Sequence, residues 1–563
     1  MKGICMSAPH RLAAWIAALA ALAGGGLAAS CVKVNMSYPD AYVGPARAER
    51  APPAGAALPG AKPGPGETPA APAAPPGPEA PKPPAPEKKL EPVKISVREA
   101  IVTALANNQS LVVQRLNPAI MQTAEVAEAS LFDPAVTAGL SRKREVAQSR
   151  GGNASMAQTV TGTAGVGQRL PTGTTIGVDA STTASHGSFS GDDFFTSRLG
   201  LSVTQSLLQG YGMDVNLASL RQARLDTLAT EYQLRGFAEL LVAEVEETYW
   251  DYTLAQRQIE IYTQSLQLAE RQLQETEERI RIGKLAEIER AASEAEVALR
   301  REELINAHST LTTTRLRLLR LLNPKVPDPW SRDVTVETLP AVPEVKLEDI
   351  ESHVRLAMRL RPDLNEARLR VSRGDLEIIK TRNGLLPVLD LFMTFGKSGY
   401  AGVFGESLGR VDQRGYDLTM GVSLEYSPLN RGAKALNSRS MLNRQQAVEA
   451  VGNLAQLAEV DVRTAYVEVN RAKEQVGATA VTRRLQEEKV RAETEKFRIG
   501  KSTTLLVAQA QRDLLASQIN EVKAVVAHLK ALVEFFRLEG SLLERRGIEA
   551  PGREPVELTK TAQ

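Results

Sequence analysis

Two spacings of apolar residues alternate along this chain, and the alternation happens twice. After Val93, the residues Ala100, Ile101, Ala104 and Leu105 recur at helical intervals, with Ser96 set to cap the helix and Glu99 to complete a capping box. Asn107-Asn108 and Asn117-Pro118 follow. A second helix is predicted past that proline, ending near Phe132-Asp133-Pro134, because proline removes a donor and restricts the residue before it. The spacing then falls to two, with Leu199, Leu201 and Val203 alternating with Gly200 and Ser202. From Asp214 to Ile282 helical spacing returns for roughly 69 residues, about 100 Å at 1.5 Å per residue. The same order restarts at Leu347-Glu348-Asp349-Ile350, runs through Leu356, Ala357, Leu360 and Arg361-Pro362-Asp363, and stops again at Leu386-Pro387. Its strands are the clearer ones: a dense run from Val388 to Phe395, then Leu418, Met420, Val422, Leu424 and Tyr426 interleaved with Thr419, Gly421, Ser423 and Glu425.

Strands of this kind suit an outer-membrane barrel, with one face to lipid and one to water, and equally suit an ordinary half-buried sheet. The first copy carries an additional apparent hairpin, from Gly165-Val166-Gly167 through Leu170-Pro171-Thr172-Gly173 to Ile176, and the sequence leaves open whether it joins the main sheet. The long helices say more. Leu241, Val245, Tyr249, Tyr252, Ile259, Tyr262, Leu266, Ala269, Leu273, Thr276 and Ile280 recur at steps of three and four with one skipped turn, which is a coiled-coil seam. A helix this long with so thin a stripe cannot fold into one compact core. It must lie sideways against partner helices. The second-copy seam (Val462, Tyr466, Val469, Val476, Val490, Phe497) is more polar, which fits a wall wetted on one side.

In the middle of each long helical stretch stands the same tetrapeptide, Arg281-Ile282-Gly283-Lys284 and, 217 positions later, Arg498-Ile499-Gly500-Lys501. At that offset Glu244-Val245 answers Asp461-Val462, Tyr249 answers Tyr466, Asp251 answers Glu468, Ile280 answers Phe497 and Ala291 answers Ala508. A register held over that span is duplication. Glycine lets a helix end in a left-handed conformation, so each copy contains a long antiparallel helical hairpin with this tetrapeptide at its tip.

Composition adds the cellular setting. Residues 1–30 read as an export signal: Lys2, His10 and Arg11, an apolar run from Leu12 to Leu22, then Gly24-Gly25-Gly26 and Ala28-Ala29-Ser30. Cys31 follows at once, so acylation of Cys31 and ordinary cleavage beside it both fit. Fifteen of the 31 prolines fall between Ala51 and Pro92, which makes 31–92 an extended linker with too little apolar surface to order itself. The expected domains are 93–325 for the first repeat, 326–346 for a proline-punctuated connector, 347–546 for the second repeat and 547–563 for a disordered tail. Lys+Arg 68 against Asp+Glu 66 gives +2, so nothing argues for nucleic acid. No run of 18 apolar residues occurs past the export signal, which excludes a bundle of spanning helices. The two cysteines, Cys5 and Cys31, leave the folded body without a thiol.

Chemistry for catalysis is missing from the pattern. Gly500-Lys501-Ser502 looks like the end of a phosphate-binding loop, but Glu495 stands where that motif needs glycine and a helix precedes it where a strand is required. The five histidines (His10, His186, His308, His353, His528) form no ligand-spaced pair, and no G-x-S-x-G elbow occurs, so neither a metal, a cofactor nor an enzyme is expected.

With these residues assembled, positions 93–545 resemble the TolC-type outer-membrane factors of tripartite efflux and type I secretion systems. The resemblance rests on the duplicated order helix, helix, proline, strands, long hairpin. It also rests on Thr204-Gln205-Ser206-Leu207-Leu208-Gln209-Gly210-Tyr211-Gly212, which looks like the family's barrel-exit signature, and on an apolar or aromatic residue three before each tip glycine (Ile280, Phe497). It implies a mixed α and β fold: a homotrimer whose transmembrane β-barrel continues as a twelve-helix periplasmic barrel. It also implies a passive duct, energised indirectly by an inner-membrane pump. Arg281, Gly283, Lys284, Arg498, Gly500 and Lys501 would meet a periplasmic adaptor, though the four cations would also complement the helix ends as charges near a macrodipole. Helix starts just beyond the tips would form the constriction. Glu289 stands six after the first glycine; Leu506 and Gln509 stand in the second copy where relatives with a carboxylate gate carry acids, so packing of Leu506 side chains is the alternative closure. A lipid-anchored periplasmic scaffold that conducts nothing is the rival reading, and the strands at 388–395 and 418–426 separate the two.

Overall fold

Ser96 caps the first helix as its spacing predicts. Its N–H donates to Glu99 Oε2 at 2.9 Å, and Glu99 N–H donates to Ser96 Oγ at 3.3 Å. The structure, a computed structural model, describes residues 93–148, 154–187, 194–343 and 347–557, so the export segment 1–30, Cys31 and the linker 31–92 lie outside it. Strand β1 (Val93–Ile95) leads into α1 (Val97–Asn107) and α2 (Gln109–Ala129). Here one expectation is corrected. Pro118 lies inside α2 instead of before it, because Leu111 N–H donates to Asn108 Oδ1 (3.2 Å) and that cap starts the helix nine residues earlier. Four strands follow: β2 (Ala135–Gln148), β3 (Ala154–Arg169), β4 (Thr174–Gly187) and β5 (Phe194–Ser206). The helical stretch expected from Asp214 is broken at Leu217, into α3 (Met213–Asn216) and α4 (Ala218–Arg281). α5 (Ile288–Leu322) returns antiparallel.

The second copy repeats this plan. α6 (Ile350–Leu360) and α7 (Pro362–Asn383) precede β7 (Val388–Ala401), the short α8 (Phe404–Gly409), β8 (Tyr416–Glu425), α9 (Arg431–Arg498) and α10 (Thr504–Glu539), with α11 (Leu542–Arg545) closing the chain of elements. The helices match in length: α1 and α6 have 11 residues each, α4 and α9 have 64 and 68, and α5 and α10 have 35 and 36. The duplication read from letters is therefore one of architecture. The connector is not plain: β6 (Val334–Val336) pairs in parallel with β1 and ties the two copies at their roots.

The core is a belt where α1, α6 and α11 pack on the middle of α4 and α9 and the ends of α5 and α10. The duplicated tyrosines anchor it. Tyr249 is fully buried, packs edge-on against Trp250 at 5.3 Å and donates to Ile95 O at 3.2 Å. Tyr466 sits 6.1 Å from Phe535. Between the belt and the tip, the seam of α4 has Ala269 and Thr276 buried and Leu266, Leu273 and Ile280 half-buried. The disordered tail expected from Gly547 is corrected over 547–557: Val556 N–H donates to Asn365 Oδ1 (3.0 Å), and Glu554 O accepts from the Tyr232 hydroxyl. Ile548 and Ala550 pack against the core, and together with these main-chain bonds they hold what the Gly, Pro and charge content of the tail suggested was loose. Residues 558–563 lie outside the described residues.

One buried charge in this region has a consequence for stability. Glu239 is 2% exposed, 3.3 Å from Arg235 Nε, and burial pushes its carboxyl up to about 7 in spite of that arginine. A carboxyl raised above its unfolded value binds its proton more tightly when folded. Stability is thus lost as pH climbs from about 4.5 to about 7, by roughly 3 kcal/mol at most. Glu239→Gln is expected to raise the unfolding temperature at pH 8 and leave it nearly unchanged at pH 5, as followed by thermal melts at the two values.

Candidate functional site: a two-faced sheet above two hairpin tips

The strands form one antiparallel sheet in the order β2-β3-β4-β5-β7-β8, so the additional hairpin β3–β4 lies within it. Residues opposite one another in such a ladder share a face. Following the register from Val136 leads to Val166, Val178, Leu201, Phe395 and Leu418 in turn, one from each strand. Following it from Thr137 leads to Gly165, Asp179, Gly200, Gly396 and Asp417. Across the middle of the sheet one face is thus mostly Val, Leu, Met and Phe, and the other is mostly Thr, Ser, Gly and a few charges. The apolar face is exposed: Val136 is 73% exposed, Met420 64% and Leu424 66%. A half-buried sheet would cover that face with its own helices. Here α8 touches it at one end, where Phe404 meets Phe195 and Ser407 Oγ meets Ser197 Oγ at 2.7 Å, and no long helix among the described residues covers the strands between.

On the polar face the structure joins residues that sequence reasoning missed. Arg198 Nη2 lies 2.7 Å from Asp417 Oδ2, and Arg198 Nη1 lies 3.6 Å from Asp179. Gly200 and Gly396 leave the room, since a Cβ on either would come within 3 Å of the arginine. Arg198 and Asp417 are 219 residues apart, so no local spacing could pair them. The available signal was parity: Arg198 falls in phase with the polar positions of its strand.

The signature Thr204–Gly212 is the junction where sheet becomes helix. Leu207 N–H donates to Leu389 O (2.7 Å), Gly210 N–H to Asn383 Oδ1 (2.8 Å), and Asn216 Nδ2 to Gly210 O (2.7 Å). Gly210 and Gly212 take φ of +83° and +96°, a region that a side chain disfavours. The β3–β4 turn is built into this junction: Ser206 N–H donates to Gly173 O at 3.1 Å and Gly212 N–H to Thr172 O at 3.2 Å.

At the other end, both tips close in one way. Gly283 takes φ +73°, its N–H donates to Ile280 O (2.9 Å), and Lys284 N–H reaches Arg279 O (2.8 Å). Gly500 takes φ +75°, with Phe497 O (3.1 Å) and Lys496 O (2.8 Å) as the acceptors. That pair of bonds is a Schellman motif, so the repeated tetrapeptide is a helix stop whose glycine is favoured on backbone grounds. No heavy atom lies within 4 Å of a Cβ on either glycine. Ile282, Ile499, Ile288 and Leu505 are exposed around the turns. Arg281 pairs with Glu278, whereas Lys284, Arg498 and Lys501 have no ion-pair partner among the described residues. The guanidinium of Arg279 stacks 4.7 Å from the Phe497 ring centroid, which links the two hairpins just above their tips. Glu289 is half-buried in the first turn of α5. Leu506, 46% exposed, follows the Thr503 cap of α10, and the exposed Gln509 lies one turn on, on the same side of the helix.

A two-faced antiparallel sheet joined to two long helical hairpins is thus the plan of the chain. The profile of the family described as Outer membrane efflux protein matches residues 174–324 and 354–541, and the chain belongs to that family. The Pyoverdine export outer membrane protein OpmQ of Pseudomonas putida KT2440 is 24% identical over 342 residues, 58% of this chain and 66% of that protein, so the match spans just under two thirds of that relative's length. Among solved structures, CusC superposes with a TM-score of 0.62 at 16% identity, covering 79% of this chain and 92% of that one. The Campylobacter jejuni CmeC outer membrane channel gives 0.61 at 14%, covering 79% and 86%. These likenesses establish a TolC-family fold of mixed α and β structure. Family members are channels rather than enzymes. No helix among the described residues is long and apolar enough to cross a membrane, and no cluster of three or more His, Cys, Asp or Glu is placed to hold a metal.

Proposed function

We propose that the protein is the outer-membrane channel of a tripartite efflux or type I secretion assembly, a homotrimer serving as a passive duct through outer membrane and periplasm. One observation carries this: the exposed apolar face runs unbroken across six strands, with a hydroxyl-rich face behind it. Lipid covers the first face and water fills the space enclosed by the second. A periplasmic scaffold has no use for such a face, which counts against that reading. The thin seams supply the second support. Four long helices per chain leave much of their flanks uncovered, and neighbouring protomers in a ring of twelve helices would cover them. Residues 1–30 would direct export and Cys31 would be the acylated residue. Intact mass of the mature chain tests both.

The name of OpmQ, which speaks of pyoverdine export, favours efflux of a small molecule over protein secretion. Closure falls to the helix starts beyond the tips, with Leu506 packing across the threefold axis, Gln509 above it and Glu289 in the flanking hairpin. In planar bilayers the purified protein is expected to conduct in discrete steps. Leu506→Ser is expected to raise the basal conductance severalfold, and absence of conductance in both proteins would contradict the duct. Lys284, Arg498, Lys501 and the exposed isoleucines form the docking rim for a periplasmic adaptor. Replacing Gly283 and Gly500 by leucine forces the turns out of the left-handed region, costing about 1 kcal/mol each. Adaptor crosslinking is expected to fall while the trimer mass is kept; unchanged crosslinking counts against the rim.

A further inference from the structure

The two copies differ in the sheet. β2 follows Pro134 as β7 follows Pro387, and β5 and β8 both run on into a long helix. β3 and β4 have no counterpart in the second copy, which has two strands, β7 and β8, where the first has four. The hairpin nevertheless behaves as wall. It is hydrogen-bonded on both sides over its length, from Ala135–Gln148 against β3 to Thr174–Ser185 against β5. Its side chains keep the phase of the sheet, with Val166 and Val178 on the apolar face and Thr161 and Thr183 on the polar one. Its inner turn is fastened to the sheet–helix junction through Gly173 and Thr172, and Arg169 Nη2 lies 2.9 Å from Asn216 Oδ1.

We propose that β3–β4 is an intercalated pair of staves, so that three protomers of six strands close an eighteen-stranded pore instead of the twelve-stranded one an even duplication would make. This rests on the trimeric duct proposed above. At equal tilt, diameter grows nearly in proportion to strand number, so the mouth is about half as wide again and falls in the range that leaves an open aqueous channel. The fit to the helices agrees. A strand tilted by about 40° occupies roughly 6 Å of circumference, and a packed helix roughly 9 Å. Six strands and four long helices therefore subtend nearly the same arc, about 36 Å in each protomer, and the tube meets the membrane without narrowing. Such a mouth admits bulky hydrophilic solutes along a lining of Thr, Ser and Gly. Passage is then limited at the tips, not at the outer membrane.

Two measurements test this. In the first, deletion of residues 154–187 lets β2 and β5 pair directly, and neutral polymers of graded size are added to the outer side of a bilayer holding the channel. The deleted protein is expected to remain a trimer by light scattering with its polymer cut-off radius reduced by about a third. A trimer with the full cut-off would place the hairpin outside the wall and overturn the proposal. In the second, single cysteines are placed in the whole chain, where the body has none of its own. Thr161→Cys and Thr183→Cys are expected to react with a charged, membrane-impermeant thiol reagent and to lose conductance on reaction. Val166→Cys and Val178→Cys should react only with a lipid-dissolved one. Equal labelling of all four in a conducting trimer overturns the hairpin's place alone; a parent that neither trimerises nor conducts overturns the duct and this inference with it.

Discussion

Arginine at Met420 is expected to abolish assembly into the outer membrane, whereas arginine at Thr419 is expected to leave it intact. The two residues are neighbours on β8, and both are exposed in the protomer. They differ in the face to which the pleat turns them: Met420 opposes Met393, and Thr419 opposes Thr394. A charged side chain on the lipid face of a barrel costs about 2–4 kcal/mol near the midplane, and three copies place three such charges in one ring. On the water face the same side chain keeps its hydration and crowds only the lumen. Heat-resistant trimers counted on gels from outer-membrane fractions read the difference. Equal tolerance at both positions would mean that neither face meets lipid.

The second large effect is expected at Gly173. A Cβ there would lie 2.3 Å from Gly210 O, and the residue holds φ at +89°. Neither atom is the loose end of a side chain, so the backbone of the junction has to shift. Gly173→Val should therefore cost several kcal/mol, from the clash and the disfavoured left-handed φ of a β-branched residue together. The expected outcome is loss of trimer and rapid proteolysis between β3 and β5, with Gly405→Val as the control, since nothing lies within 4 Å of a Cβ at Gly405. A fully stable Gly173→Val trimer would show that the hairpin turn is not fixed to the sheet–helix exit.

Where the chain's plan was legible, the reason was locality. The Schellman stops at Gly283 and Gly500 depend on six consecutive residues, and the cap at Ser96 on four, so sequence displays them in full. The seams of α4 and α9 were readable for a related reason, because a regular helix converts spacing directly into a face. The sheet was harder. Alternation reveals two faces but not which of them other elements cover; among the described residues no helix lies over Met420 or Val136, and that is a property of the whole fold. Membership of β3–β4 in the sheet was undecidable for the same reason, since pairing partners are chosen in three dimensions. Pro118 misled because a strong cap at Asn108 outweighs one missing bond in a helix packed along α4. The tail misled because Val556 and the main chain at Glu554 find partners on α7 and α4 that composition cannot announce. Arg198, Asp179 and Asp417 come together only when β4, β5 and β8 are laid side by side.

The most direct test is electron microscopy of the purified protein in detergent, viewed along its long axis. Three chains arranged as staves predict a threefold ring with an open centre, continuous through a helical tube about 100 Å long. A single-chain particle, its long hairpins folded against one another around a filled centre, would contradict the duct outright.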